Sequence, residues 1–216
     1  VTLGANTTLT STSSGNITFA STLDSSASDA RTLEISNGSG GITFTGAVGS
    51  ATNGTLGNVT LTSSGTSLIS STLKAASLTT TTGGTTQLNG NITTSAEQNY
   101  GDNVLVMISG LTLATTSNGY ISFAGTVNSE TLETNNLTIT TGSGAITFTG
   151  IVGGSRGLGN ISLTSTGTTT LSAAVSASQL VQNATSGTTA INGASINTTG
   201  DVQTYNNNVT LGADTT

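Results

Sequence analysis

Cysteine, proline, histidine and tryptophan are all absent from this chain of 216 residues. Without cysteine there is no disulfide framework, and no thiolate to serve as nucleophile or metal ligand. Without histidine the chain lacks the usual acid–base group of neutral pH and the commonest metal ligand. Without proline every residue past the first keeps a backbone N–H, so any strand can sit inside a sheet. Charge is scarce too: 6% of residues are charged, against about 25% in ordinary domains. Three of them are basic and nine acidic, for a net charge of −6. Binding to a phosphate backbone needs a Lys/Arg footprint, so nucleic acid is excluded as a partner. No run of 18 apolar residues occurs, so neither a membrane-spanning helix nor membrane insertion is expected.

What fills the chain instead is small and neutral: 49 Thr, 30 Ser, 20 Asn and 29 Gly. Low charge without proline departs from the usual signature of disorder. The apolar third is rich in Val, Ile and Leu and comes in short bursts, which reads as β-structure around a thin core.

The bursts repeat. A long unit spans residues 1–103, returns at 104–208, and begins again at 209–216, where "VTLGADTT" answers "VTLGANTT" of 1–8. "GITFTGAVG" (41–49) answers "AITFTGIVG" (145–153), and "LGNVTLTSSGTSLISSTLKAASL" (56–78) answers "LGNISLTSTGTTTLSAAVSASQL" (158–180). The chain is therefore expected to be a slice of a longer array. Beneath the long unit lies a shorter phrase: "GNITF", "GGITF", "GNVTL", "GYISF", "GAITF" and "GNISL". Its apolar residues are two apart, so both face one side of a strand. The expected stacked core is Ile17, Phe19, Ile42, Phe44, Val59, Leu61, Ile121, Phe123, Ile146, Phe148, Ile161 and Leu163. Matching phrases are expected to fill the same slot in successive units.

Two all-β architectures accommodate a unit of this size. Tandem immunoglobulin-like sandwiches are one. The other is a β-solenoid, here a parallel β-helix of two repeats of about 104 residues, each of about five coils of roughly 20 residues. The short inner phrase, Gly-rich corners and missing proline favour the solenoid.

Phrases such as "GNITF" (15–19), "GAITFTG" (144–150) and "LGNISLTSTGTTTL" (158–171) resemble the strand repeats of filamentous-haemagglutinin-like and autotransporter adhesins of bacteria. The resemblance covers the whole chain but carries no catalytic motif. It implies a right-handed parallel β-helix, an extracellular or cell-surface location, and a structural role as fibre, stalk or adhesin.

Chemistry is sparse. The bases Arg31, Lys74 and Arg156 lie far apart, no serine has an evident base, and neither catalysis nor a cofactor is expected. Five acids fall in equivalent loops, Asp24, Asp29 and Glu34 in 23–35 and Glu130 and Glu133 in 127–139. They are the candidate ligands for a hard cation such as Ca²⁺, and equally the charge that keeps a neutral rod soluble. The Gly-Gly-x-Gly-x-Asp calcium repeat is absent. Thr43/Thr45, Thr60/Thr62, Thr138/Thr140 and Thr147/Thr149 suggest an outward hydroxyl lattice of the ice-binding kind, or Thr ladders that stabilise a sheet face. Tyr100, Tyr120 and Tyr205 could stack on sugar rings if exposed, though Tyr100 and Tyr205 stand where they would close each unit. The expected function is a structural segment whose partners are neighbouring repeats or further copies, end to end. The alternative is a binding module for ice or for a polysaccharide of a host surface or matrix.

Overall fold

The computed structural model describes residues 1–26, 29–81, 83–193 and 195–214. These residues form 24 strands and no helix. Every strand pair is parallel. The pairing follows three ladders that run the length of the molecule, one on each face of a β-solenoid.

On the first face, A, the inward positions read Thr7, Leu33, Val59, Leu78, Gln98, Ile121, Ile146, Thr169, Thr189, Val209. On face B they read Ile17, Ile42, Ser67, Thr86, Val104, Val127, Val152, Val175, Ile196. Face C continues from Leu23 through Val48, Leu73, Ile92, Leu113, Ile139, Leu163 and Gln182 to Tyr205. Nine turns thus separate Thr7 from Val209. The core lies between the three faces as one continuous apolar cluster. Within it Phe19 stacks on Phe44, and Tyr100, Phe123 and Phe148 form a column with centroids 5.0 and 4.8 Å apart.

The sequence produces this fold through alternation. Ile42 and Phe44 are buried while Thr43 between them is half-buried and Thr45 exposed. Ile146, Thr147, Phe148 and Thr149 repeat that pattern, and Val59, Leu61, Ile121, Phe123, Ile161 and Leu163 are buried as well. Ile17 and Phe19 are only partly buried against the core, because they lie on the first turn of face B and no strand stacks beneath them. Corners are drawn tight by glycine: a Cβ on Gly144 would collide with the carbonyl oxygen of Gly119 on the turn before.

One expectation is corrected. Matching phrases do not share a slot. Ile42 and Phe44 stand on face B, Ile146 and Phe148 on face A; Val59 stands on A, Ile161 on C. The cause is arithmetic. A turn averages about 22 residues over the nine from Thr7 to Val209, so the long unit covers four and two-thirds turns rather than five. Each unit therefore starts one face back from the last. Thr2–Leu3 lies on C, Asn103–Val106 on B and Asn208–Leu211 on A. Three units are needed before a phrase returns to its own face. Thr215 and Thr216, which complete the third copy of the octet, lie outside the described residues.

Candidate functional site

Among the five acids of the two loops, the carboxylates of Asp24 and Asp29 have bonded partners, and Glu34, Glu130 and Glu133 are placed by their backbone. Asp24 Oδ1 accepts the N–H of Ala51 at 2.9 Å, tying loop 49–55 to face C. Its counterpart in the second unit is neutral: Asn128 Oδ1 accepts the N–H of Ser155 at 3.0 Å and does the same for loop 153–157. A bond made equally by an amide does not require charge, so Asp24 acts as an anchor. Asp29 pairs with Arg31 at 2.8 Å and accepts the Ser26 hydroxyl at 2.9 Å. Glu34 points outward from face A between Thr8 and Thr60. Glu130 donates its N–H to Val106, and the Glu133 carbonyl accepts Arg156 Nε at 2.9 Å. Among the described residues, no three acids stand close enough together to hold a metal ion.

Sequence reading missed Asp102, which is 2% exposed. Its carboxylate accepts the Gly84 N–H and the Thr86 hydroxyl, both at 3.1 Å. Burial pushes its pKa above the ordinary value of 3.8, against the pull of those two donors. In the second unit Asn207 occupies the equivalent place and accepts the Thr189 hydroxyl at 2.8 Å. Here too an amide replaces an acid, which makes the pair a corner clasp. The signal was present in "YGDN" (100–103) against "YNNN" (205–208).

Tyr100 is fully buried, donates to Gln98 Oε1 at 2.9 Å, and has its pKa raised by desolvation. Tyr205 is partly buried and also raised by burial. Only Tyr120 stands open, at 45% exposure. The outward rows are mixed in composition. On face B they read Thr18, Thr43, Leu68, Gln87, Leu105, Asn128, and on face A Glu34 and Asn99 interrupt the threonines.

Two surface grooves have matching linings. One, of about 280 Å³, runs past Ala30, Leu56, Lys74, Ala75, Ala76 and Ser95. The other, also about 280 Å³, runs past Thr134, Arg156, Leu158, Ala177, Ser178 and Thr199. Leu56 and Leu158, and Ala75 and Ala177, are repeat equivalents, so the grooves are the same feature on different faces. Each carries one base from a different sequence position, and neither lining contains an acid. Lys74 and Arg156 have no sequence counterpart in the other unit, so only the fold shows their shared setting.

No protein-family model, no curated protein and no solved structure matches the chain.

Proposed function

We propose that the chain is a structural segment of an extracellular fibre or stalk of the haemagglutinin-like, autotransporter kind, with no catalytic activity. The observation that carries this reading is the uninterrupted core: three ladders run from the first turn to the last, and each turn rests only on its neighbours. Such a body lengthens by adding turns without a new core, as a stalk must. Loops and grooves recur along it every four and two-thirds turns, each rotated by a third of a turn from the last, so a longer array presents them on all sides.

The test is to display arrays of two, four and six long units on a bacterial surface and measure how far they project by electron microscopy. The projection grows by about 22 Å per unit, at about 4.8 Å per turn. Projection independent of unit number would remove the stalk from consideration. The second reading, a polysaccharide-binding surface, draws on the paired grooves with their hydroxyl linings and single bases. It predicts retention of the chain on an acidic polysaccharide column, lost on combining Lys74→Ala with Arg156→Ala.

A further inference from the structure

A third groove, of about 550 Å³, lies on face B and has nearly twice the volume of either matching groove. Its floor is the outward side of that face, from Thr85 through Asn103 and Leu105 to Thr126 and Asn128. Loop 130–136, at the corner between faces B and C, walls it with Thr131 and Leu132. Loop 153–157 of the next turn adds Ser155 and Arg156. The groove thus crosses four successive turns, about 14 Å at about 4.8 Å per interval.

Bonds within the groove use up its acceptors and leave its donors open. Asn103 Oδ1 accepts both the N–H and the hydroxyl of Thr126, each at 3.0 Å. Asn128 Oδ1 accepts the N–H of Ser155 at 3.0 Å and that of Arg156 at 3.4 Å. One hydrogen of the Asn128 amide goes to the Thr126 hydroxyl at 3.1 Å, and the other is free. The Asn103 amide nitrogen and the terminal nitrogens of Arg156 have no acceptor among the described residues. Arg156 is nevertheless held, because its Nε donates to the Glu133 carbonyl at 2.9 Å. Neither Glu130 nor Glu133 forms an ion pair with it, and no acid lines the groove. Such a groove suits a ligand rich in acceptors, with a negative charge where it meets Arg156.

The apolar part of the lining narrows the class. Leu132 is 85% exposed and holds a left-handed backbone with φ of 76°, a conformation that bulky residues rarely adopt. It faces the same groove as Leu105, and together they offer an apolar surface among hydroxyls and amides. One base over four turns is too few for a phosphate backbone. A sugar chain with a carboxylate supplies one charge, many acceptors and a C–H face. The first unit cannot build this site. There Asp24 stands in place of Asn128, and loop 49–55 contains no base.

We propose that the face B groove binds a short oligosaccharide carrying a carboxylate. Arg156 meets the carboxylate, the Asn103 and Asn128 amides meet hydroxyl or ring oxygens, and Leu105 and Leu132 lie against a ring. This deepens the polysaccharide reading and rests on it, but places the site on face B of the second unit.

The test is isothermal titration of the whole chain with trigalacturonate, with neutral maltotriose and with acetate. Trigalacturonate should bind at least about tenfold more tightly than either of the others. The sharpest variant is Asn128→Asp. Asp24 makes the same anchoring bond in the first unit, so the fold is kept while a negative charge enters the groove. Trigalacturonate binding should weaken about tenfold or more in Asn128→Asp and in Arg156→Ala. Asn53→Asp, the same change of charge in loop 49–55, should leave it unchanged, and thermal unfolding checks that each variant is folded. No binding of trigalacturonate at millimolar concentration overturns the proposal, as does equal binding of maltotriose or acetate, or equal weakening in Asn128→Asp and Asn53→Asp. Column retention that is lost in the Lys74→Ala, Arg156→Ala double variant but kept in Asn128→Asp overturns this groove and leaves the paired-groove reading standing. No retention of the parent chain removes both.

Discussion

Truncating Phe123 to alanine probes the continuous core most sharply. Phe123 is 1% exposed and lies between the rings of Tyr100 and Phe148, nearly parallel to both. Removing a buried phenyl costs about 3–5 kcal/mol through lost transfer energy and the cavity left behind. Two stacked partners place Phe123→Ala in the upper part of that range, about 4–5 kcal/mol, since each such pair contributes about 0.5–1.5 kcal/mol. Phe19 is the internal comparison. It has one ring neighbour, on one side only, and is partly exposed at the end of the rod. Its truncation should cost roughly half as much, about 2 kcal/mol. The assay is urea unfolding followed by far-ultraviolet circular dichroism, with hydrogen exchange to locate the loss. In a solenoid each turn contacts only its neighbours, so exchange in Phe123→Ala should rise most in the turns carrying Tyr100 and Phe148. Equal costs for the two truncations, or a cost below about 1 kcal/mol for Phe123, would refute a core in which the rings stack along one axis.

Three further outcomes follow from single residues. Gly144→Ala drives a Cβ into the Gly119 carbonyl and should destabilise by about 2–3 kcal/mol in thermal unfolding, whereas Gly4→Ala, with open space around it, should stay within about 0.5 kcal/mol. Asp24→Asn should be within about 0.5 kcal/mol of the parent, because Asn128 makes the same bond, and Asp24→Ala should cost about 1 kcal/mol; an equal loss in both would mean the charge itself matters. Asp102 sets a pH dependence. Its folded pKa is raised above 3.8, so the folded state holds this proton more tightly than the unfolded state, and the resulting contribution to stability is lost as pH rises from about 4 through the raised value. Asp102→Asn should flatten that part of the curve in urea titrations at pH 4 to 7, and an unchanged slope would contradict the assignment.

Much of this fold was legible because its signals are local. Alternation placed Ile42 and Phe44 inward from three letters of sequence, and the absence of proline marked strands that donate N–H groups throughout. The phase was not legible. A repeated phrase reports its local environment, and faces A, B and C offer the same environment, so "ITFTG" reads alike on any of them. Only the sum of turn lengths, set by loops such as those at 49–55 and 130–136, decides which face it meets. The bonding role of the acids was hidden for a related reason. Grouping Asp24 with Asp29 and Glu34 by charge hid its equivalence to Asn128, which is a likeness of bonds rather than of charge. Asp102 was obscured in the same way by its exchange with Asn207. Ile17 and Phe19 carry the same phrase as their buried counterparts, and their partial exposure follows from position at an end, which a local pattern does not encode.

The most direct measurement is helical reconstruction by electron cryomicroscopy of a tandem array of six long units. Each unit should advance about 22 Å along the axis and turn back by one face, so that a given loop returns to the same side every fourteen turns, about 67 Å. Loops recurring on one side every 24 Å or so would show units of five whole turns in register, and discrete lobes about 35 Å or more apart would show separate sandwiches; either result contradicts a continuous solenoid whose repeats step back by a third of a turn.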